Sequence, residues 1–173
     1  MSAERRGKDK ESFMKKVLIF FVLILILMPV AFAEEGRADS SQKAAIGLGA
    51  EWNMNSRDNF AMGAVLAFDY NLGSAFALGI NATASSNFNG IFVIEPAGFF
   101  RWYFLGKGHT GLFVQADAGA YLVLEDDDIT PLFLGGVRAG LRLPLGEKFF
   151  VEPFGRVGYP FAFGVGCLAG IRF

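Results

Sequence analysis

From Lys43 to the C-terminus, apolar and polar residues alternate with a period of two, and turn-forming residues break the alternation at nearly regular intervals. The pattern predicts eight strands, over 44–54, 60–71, 75–85, 91–104, 111–124, 132–143, 149–158 and 161–173. Segments such as Leu72-Gly73-Ser74, Asn87 to Gly90, Glu125 to Thr130 and Gly146-Glu147-Lys148 separate them. No segment of this region carries a sustained helical period.

Each strand has one apolar face. It reads Ile46, Leu48, Trp52 in the first strand, Met62, Leu66, Phe68 in the second, and Phe76, Leu78, Ile80 in the third. The same face carries Phe92, Ile94, Phe100 and Trp102, then Leu112, Val114 and Leu122. It ends with Phe133, Val137, Leu141, Val151, Val157, Phe161, Phe163, Val165, Ile171 and Phe173. No charged residue falls on it. The opposite face holds Asn53, Asn71, Asn81, Thr83, Ser85 and Gln115 together with the charged residues, padded with Gly and Ala.

A soluble barrel buries its apolar face and a membrane barrel exposes it to lipid. Large side chains along eight whole strands overfill the inside of an eight-stranded barrel, whereas the small polar set fits a narrow lumen. Strands of ten or more residues match a tilted span of a bilayer. Aromatics gather at strand ends, at Trp52, Tyr70, Trp102-Tyr103-Phe104, Tyr121, Phe149-Phe150, Tyr159 and Phe173, the position of an interfacial ring. Closure would satisfy every backbone group, as lipid requires. The expected fold is therefore all-β, an eight-stranded antiparallel up-and-down transmembrane β-barrel over 44–173.

Pro96 and Pro153 interrupt this picture, because a proline inside a strand removes a ladder hydrogen bond. Both stand in a Glu-Pro-x-Gly context, Glu95-Pro96-Ala97-Gly98 and Glu152-Pro153-Phe154-Gly155, and a bulge or local bend is expected at each.

The N-terminus changes the expected location. Lys15 and Lys16 precede an uncharged run from Val17 to Ala33 that ends Ala31-Phe32-Ala33 before Glu34 and Glu35. A positive start, an apolar core and small residues two apart describe a secretory signal peptide over 14–33, cleaved after Ala33. Residues 1–13 are highly charged and read as an extension upstream of the true start at Met14. Residues 34–43 read as a short periplasmic tail. The remaining 140 or so residues leave about 17 per strand and connection in an eight-stranded barrel; sixteen strands would leave about nine, too few to cross and turn.

Composition narrows the function. The chain has 173 residues, 16 basic against 17 acidic, 22 Gly and 20 Phe. A near-neutral balance with low charge density excludes a basic nucleic-acid binder, and the abundance of Phe excludes a disordered chain. The single Cys167 forbids an intramolecular disulfide and a multi-cysteine zinc site. Ten charged residues share the polar parity: Glu51, Asp69, Glu95, Asp117 and Glu152 against Arg101, Arg138, Arg142, Arg156 and Arg172. Five of each sign in a narrow barrel point to ion pairs across the lumen that plug it; a charged constriction passing small solutes is the alternative. The acidic run Glu125-Asp126-Asp127-Asp128 lacks the oxygen spacing of a calcium loop and reads as a solvated tip. The lone His109 has no Ser or Cys nucleophile beside it, so no enzyme, cofactor or metal is expected.

These features resemble the small eight-stranded outer-membrane barrels, the class of the OmpA transmembrane domain, OmpX and OmpW. The resemblance covers 44–173 and rests on the leader, the eight strands and the ending Gly170-Ile171-Arg172-Phe173. It implies that Gly170, Ile171 and Phe173 form a C-terminal assembly signal, although Leu168 stands where that signal prefers Gly. It also implies a monomer in the outer membrane of a diderm bacterium, in contact with lipid, brought there by periplasmic chaperones and the barrel-insertion machinery. The expected role is structural. The alternatives are a small pore or transporter for ions or amphipathic solutes, resembling OmpW, and a soluble periplasmic ligand-binding barrel.

Overall fold

The computed structural model describes residues 42–55, 60–73, 75–105, 109–125 and 128–173. The leader, the extension before it, most of the tail, and Asp126 and Asp127 lie outside the described residues. Eight strands follow one another: β1 (Ala44–Asn55), β2 (Ala61–Asn71), β3 (Phe76–Ser86), β4 (Phe92–Leu105), β5 (Gly111–Glu125), β6 (Asp128–Leu145), β7 (Phe149–Tyr159) and β8 (Phe161–Arg172). Each pairs antiparallel with the next, and β8 pairs with β1, so the sheet closes in simple up-and-down order.

The register sets the barrel's width. A row of ladder partners starting at Trp52 reaches β6 at Ile129 when followed through Met62, Ser86, Phe92 and Leu124. Followed the other way, through Val165 and Gly155, it reaches β6 at Ala139, a stagger of ten residues. Eight strands with that stagger tilt by about 40° and leave an interior only wide enough for side chains.

The two faces sort by polarity in the inverse of a soluble barrel. Outward residues such as Leu48, Ile80 and Phe133 are each more than 60% exposed, while Glu51, Arg101, Gln115, Arg138 and Glu152 are at most 2% exposed.

Strand boundaries fall within a residue or two of the expectation except in β6, which begins at Asp128. Asp128, Ile129 and Thr130, expected in a turn from Glu125 to Thr130, instead continue the ladder, with Glu125 opposite Asp128. Neither proline makes a bulge. The β4–β5 register is the same on both sides of Pro96, and between Ile94 and Ala97 the Glu95 and Pro96 positions lose their partners. The β6–β7 register likewise runs unchanged past Glu152 and Pro153. Each proline keeps its pairing on its other side, with Ala82 and with Cys167. The missing N–H therefore faces the strand where the ladder is interrupted, and the cost is local. The register shifts lie elsewhere, at Met54/Asn55 and Tyr103/Leu105.

The first of these shifts moves one aromatic. Phe161, expected on the apolar outer face, lies opposite Asn55 and is buried inside the barrel. Tyr103, Tyr121 and Phe150, expected in the interfacial rings, are also inside, at no more than 4% exposed. Trp52, Tyr70, Trp102, Phe104, Phe149, Tyr159 and Phe173 are exposed at the two ends.

Candidate functional site in the barrel lumen

The lumen is built from three kinds of residue that alternate toward it: glycine, phenylalanine and charge. Phe113, Phe154 and Phe150 stand directly opposite Gly140, Gly166 and Gly170 on the neighbouring strand. Each ring occupies the space a side chain at that glycine would fill. Gly79 and Phe99 make the same pair between β3 and β4. An arginine then lies on the ring's other side. The guanidinium carbon of Arg101 is 4.0 Å from the Phe113 centroid, that of Arg138 4.2 Å from Phe154, and that of Arg142 4.3 Å from Phe150. Arg156 sits 3.9 Å over Phe161. The flat cation packs against the ring face while its edge remains free to donate hydrogen bonds.

Those edges meet two separate acidic groups. Toward the end where β1 begins and β8 ends, Arg101 donates to both carboxylate oxygens of Glu152 at 2.9 Å. Arg142 donates to Glu152 at 2.6 Å and to both oxygens of Asp69 at 2.7 and 3.1 Å. Arg101 also donates to the Gln115 amide oxygen at 2.6 and 2.8 Å and to the Tyr103 hydroxyl at 3.0 Å. Two cations and two anions are thus neutralised with nearly every donor used, the condition under which buried charges are tolerated. Toward the opposite end, Arg156 bridges Glu51 and Glu95, reaching Glu95 at 2.7 and 3.1 Å, and Asn53 donates to Glu51 at 3.0 Å.

The remaining candidates take other partners. Asp117 accepts from Asn81 at 2.6 Å and from Gln115 at 2.7 Å, both amides. Arg172 donates to the backbone carbonyls of Gly146 and Glu147 in the β6–β7 turn, at 3.2 and 2.9 Å. Arg138 lies between the two clusters, fully buried, with no protein hydrogen-bond acceptor at any of its three nitrogens. Arg138→Met is therefore expected to be at least as stable as the native barrel in a urea titration, because it removes a buried cation to which no acceptor is hydrogen-bonded. A lowered midpoint would contradict this placement.

The end where β1 begins and β8 ends is closed by backbone-directed contacts. Lys43 and Ala44 donate their N–H groups to the Phe173 carbonyl, Gln42 donates to the carbonyl of Glu147, and Asn71 donates to that of Gln42. His109, in the β4–β5 connection, turns inward with a positive φ of 60° and meets the Tyr103 ring edge-on at 5.5 Å. Burial pushes its imidazole below the ordinary histidine range. Among the described residues no group of three or more His, Cys, Asp or Glu side chains could hold a metal ion. Cys167 is exposed on the outer face.

Of the inward phenylalanines, Phe99, Phe113 and Phe154 were assigned to neither face in the sequence, and Phe150 only to an interfacial ring. Their signal was present all the same. Phe99, Phe113, Phe150 and Phe154 stand at even spacing from Arg101, Gln115 and Glu152 in their own strands.

No protein-family model matches the chain, and no curated protein matches it in sequence. Among solved structures, it is similar to the N-terminal β-barrel domain of OprF from Pseudomonas aeruginosa, at 15% identity and a TM-score of 0.49, over 76% of this chain and 98% of that one. It is also similar to Neisserial surface protein A, at 13% identity and a TM-score of 0.49, over 79% and 98%. A designed transmembrane β-barrel aligns at 14% identity with a TM-score of 0.48, over 75% and 97%.

Proposed function

We propose that this chain is an integral outer-membrane β-barrel protein with a structural role, its lumen sealed by ion pairs and stacked rings. The observation that carries the reading is the inversion of polarity around a closed sheet. Large apolar side chains point outward on every strand, while the lumen buries the charges. In water that surface would be an aggregation hazard far larger than an ordinary apolar patch; in hydrocarbon it is the stable arrangement. The same inversion disfavours a soluble periplasmic ligand-binding barrel.

The secretory leader over 14–33, cleaved after Ala33, supplies the route, and the ending Gly170-Ile171-Arg172-Phe173 supplies the feature that the insertion machinery would read. Phe173 is exposed and outward, as a docking residue must be. The closed lumen supports a structural role over a pore, since Arg101, Arg142, Asp69 and Glu152 span the interior from β2, β4, β6 and β7.

Depth-dependent fluorescence quenching tests the membrane reading. Trp52 and Trp102 are both exposed on the outer face near opposite ends of the barrel. Protein refolded into phosphatidylcholine vesicles should show both tryptophans quenched by bromines placed high on the lipid chains, and less by bromines at the bilayer centre. Tryptophans reached by aqueous iodide and untouched by lipid bromines would overturn the reading.

A further inference from the structure

We propose that the outer face carries a seat for one lipid acyl chain bearing a hydroxyl near its headgroup end, at the gap Pro96 opens between β4 and β5. The inference rests on the membrane reading above.

Two features coincide there. A groove of about 440 Å³ runs along the outer face, with the small residues Ala82, Pro96 and Gly98 at its base and Leu66, Phe68 and Ile80 standing beside it. Its volume falls among those of small-ligand sites, about 300–1,000 Å³. The second feature is a backbone group without its ladder donor. Positions 96 and 120 would face each other across β4 and β5, but proline has no N–H and the pair is absent from the ladder. The carbonyl of Ala120, next to the groove-lining Gly119, thus faces a groove-base residue with no N–H to donate to it. In hydrocarbon such a group is costly to leave unpaired.

A lipid chain answers both conditions. Its methylenes fill the groove between the larger side chains, and a hydroxyl close to the headgroup donates to Ala120. The height fits, because Ala120 pairs on its other side with Phe133, an exposed aromatic toward the end of the barrel where β5 ends and β6 begins. The other proline gap offers a comparison. At Pro153 the facing residue is Leu141, which is only 3% exposed, so no open face surrounds that carbonyl.

Native mass spectrometry of the barrel released from phosphatidylcholine nanodiscs tests the seat. The discs carry equal fractions of two probe lipids that differ only in a β-hydroxymyristoyl or a myristoyl chain. Retention of the hydroxylated probe should exceed that of the plain one by about fivefold, the effect of one net hydrogen bond. Pro96→Ala restores an N–H facing Ala120 and should bring the ratio to about one. Ala82→Leu fills the base of the groove and should lower retention of both probes. Equal retention by the native barrel, or a preference unchanged in Pro96→Ala, would overturn the seat. Insertion is checked first by heat-modifiable migration on a gel. Failure at that step overturns the membrane reading, whereas insertion without preference overturns the seat alone.

Discussion

Glu152→Gln is expected to lower the unfolding free energy by about 3–5 kcal/mol, the largest effect of any single charge change in the lumen. Glu152 is fully buried and accepts from both Arg101 and Arg142. Neutralising it leaves two guanidinium groups sharing Asp69, which is 4.0 Å from Arg101 and in full contact only with Arg142. Amide and carboxylate have nearly the same size, so packing is held constant and the loss reports charge. Urea titration in detergent, read by heat-modifiable migration, gives the value. The complementary change Glu51→Gln should cost less, because Arg156 keeps Glu95. Equal stability of Glu152→Gln and the native protein would mean that the cluster of Arg101, Arg142, Asp69 and Glu152 does not hold the barrel together.

Gly140→Ala should cost about 1–3 kcal/mol, although it adds one methyl group to a strand. That methyl would stand 2.6 Å from the Phe113 ring and 2.7 Å from the Pro153 carbonyl oxygen. The ring can move only by leaving the position in which it stacks 4.0 Å from Arg101, and the carbonyl belongs to the sheet. Gly98 provides the control. It lies on the outer face, where an added methyl meets no atom closer than 4.0 Å, so Gly98→Ala should stay within about 0.5 kcal/mol of the native protein. Combining Gly140→Ala with Phe113→Leu should recover part of the loss, since the two residues touch and their effects are coupled. Identical costs at Gly140 and Gly98 would mean that the ring over Gly140 is not a fixed part of the fold.

The architecture was legible because a strand has one periodicity and the lumen one polarity. Strand boundaries and the inward parity of the charged residues both follow from that alternation. What alternation does not encode is register. The ten charges on one parity do not say that Glu152 joins Arg101 and Arg142 while Arg138 is hydrogen-bonded to no acid. That depends on the ten-residue stagger, which no single strand displays. The aromatics show the same limit. Tyr103, Tyr121 and Phe150 lie near strand ends, and end position suggested an interfacial ring, but parity turns them inward. Phe161 defeats parity itself, because the register shift at Met54/Asn55 displaces it. At Pro96 and Pro153 a bulge was expected because a lost hydrogen bond usually breaks the register. Here the neighbouring ladder pairs hold it.

Single-channel recording from planar bilayers tests the sealed barrel most directly. Protein shown to be folded and inserted by its heat-modifiable migration should pass no resolvable current. The ion pairs and the Gly–Phe–Arg stacks occupy the interior that a pore would need. Discrete, reproducible conductance steps from such protein would contradict the account, and their altered ion selectivity in Glu152→Gln would place the conducting path through the lumen.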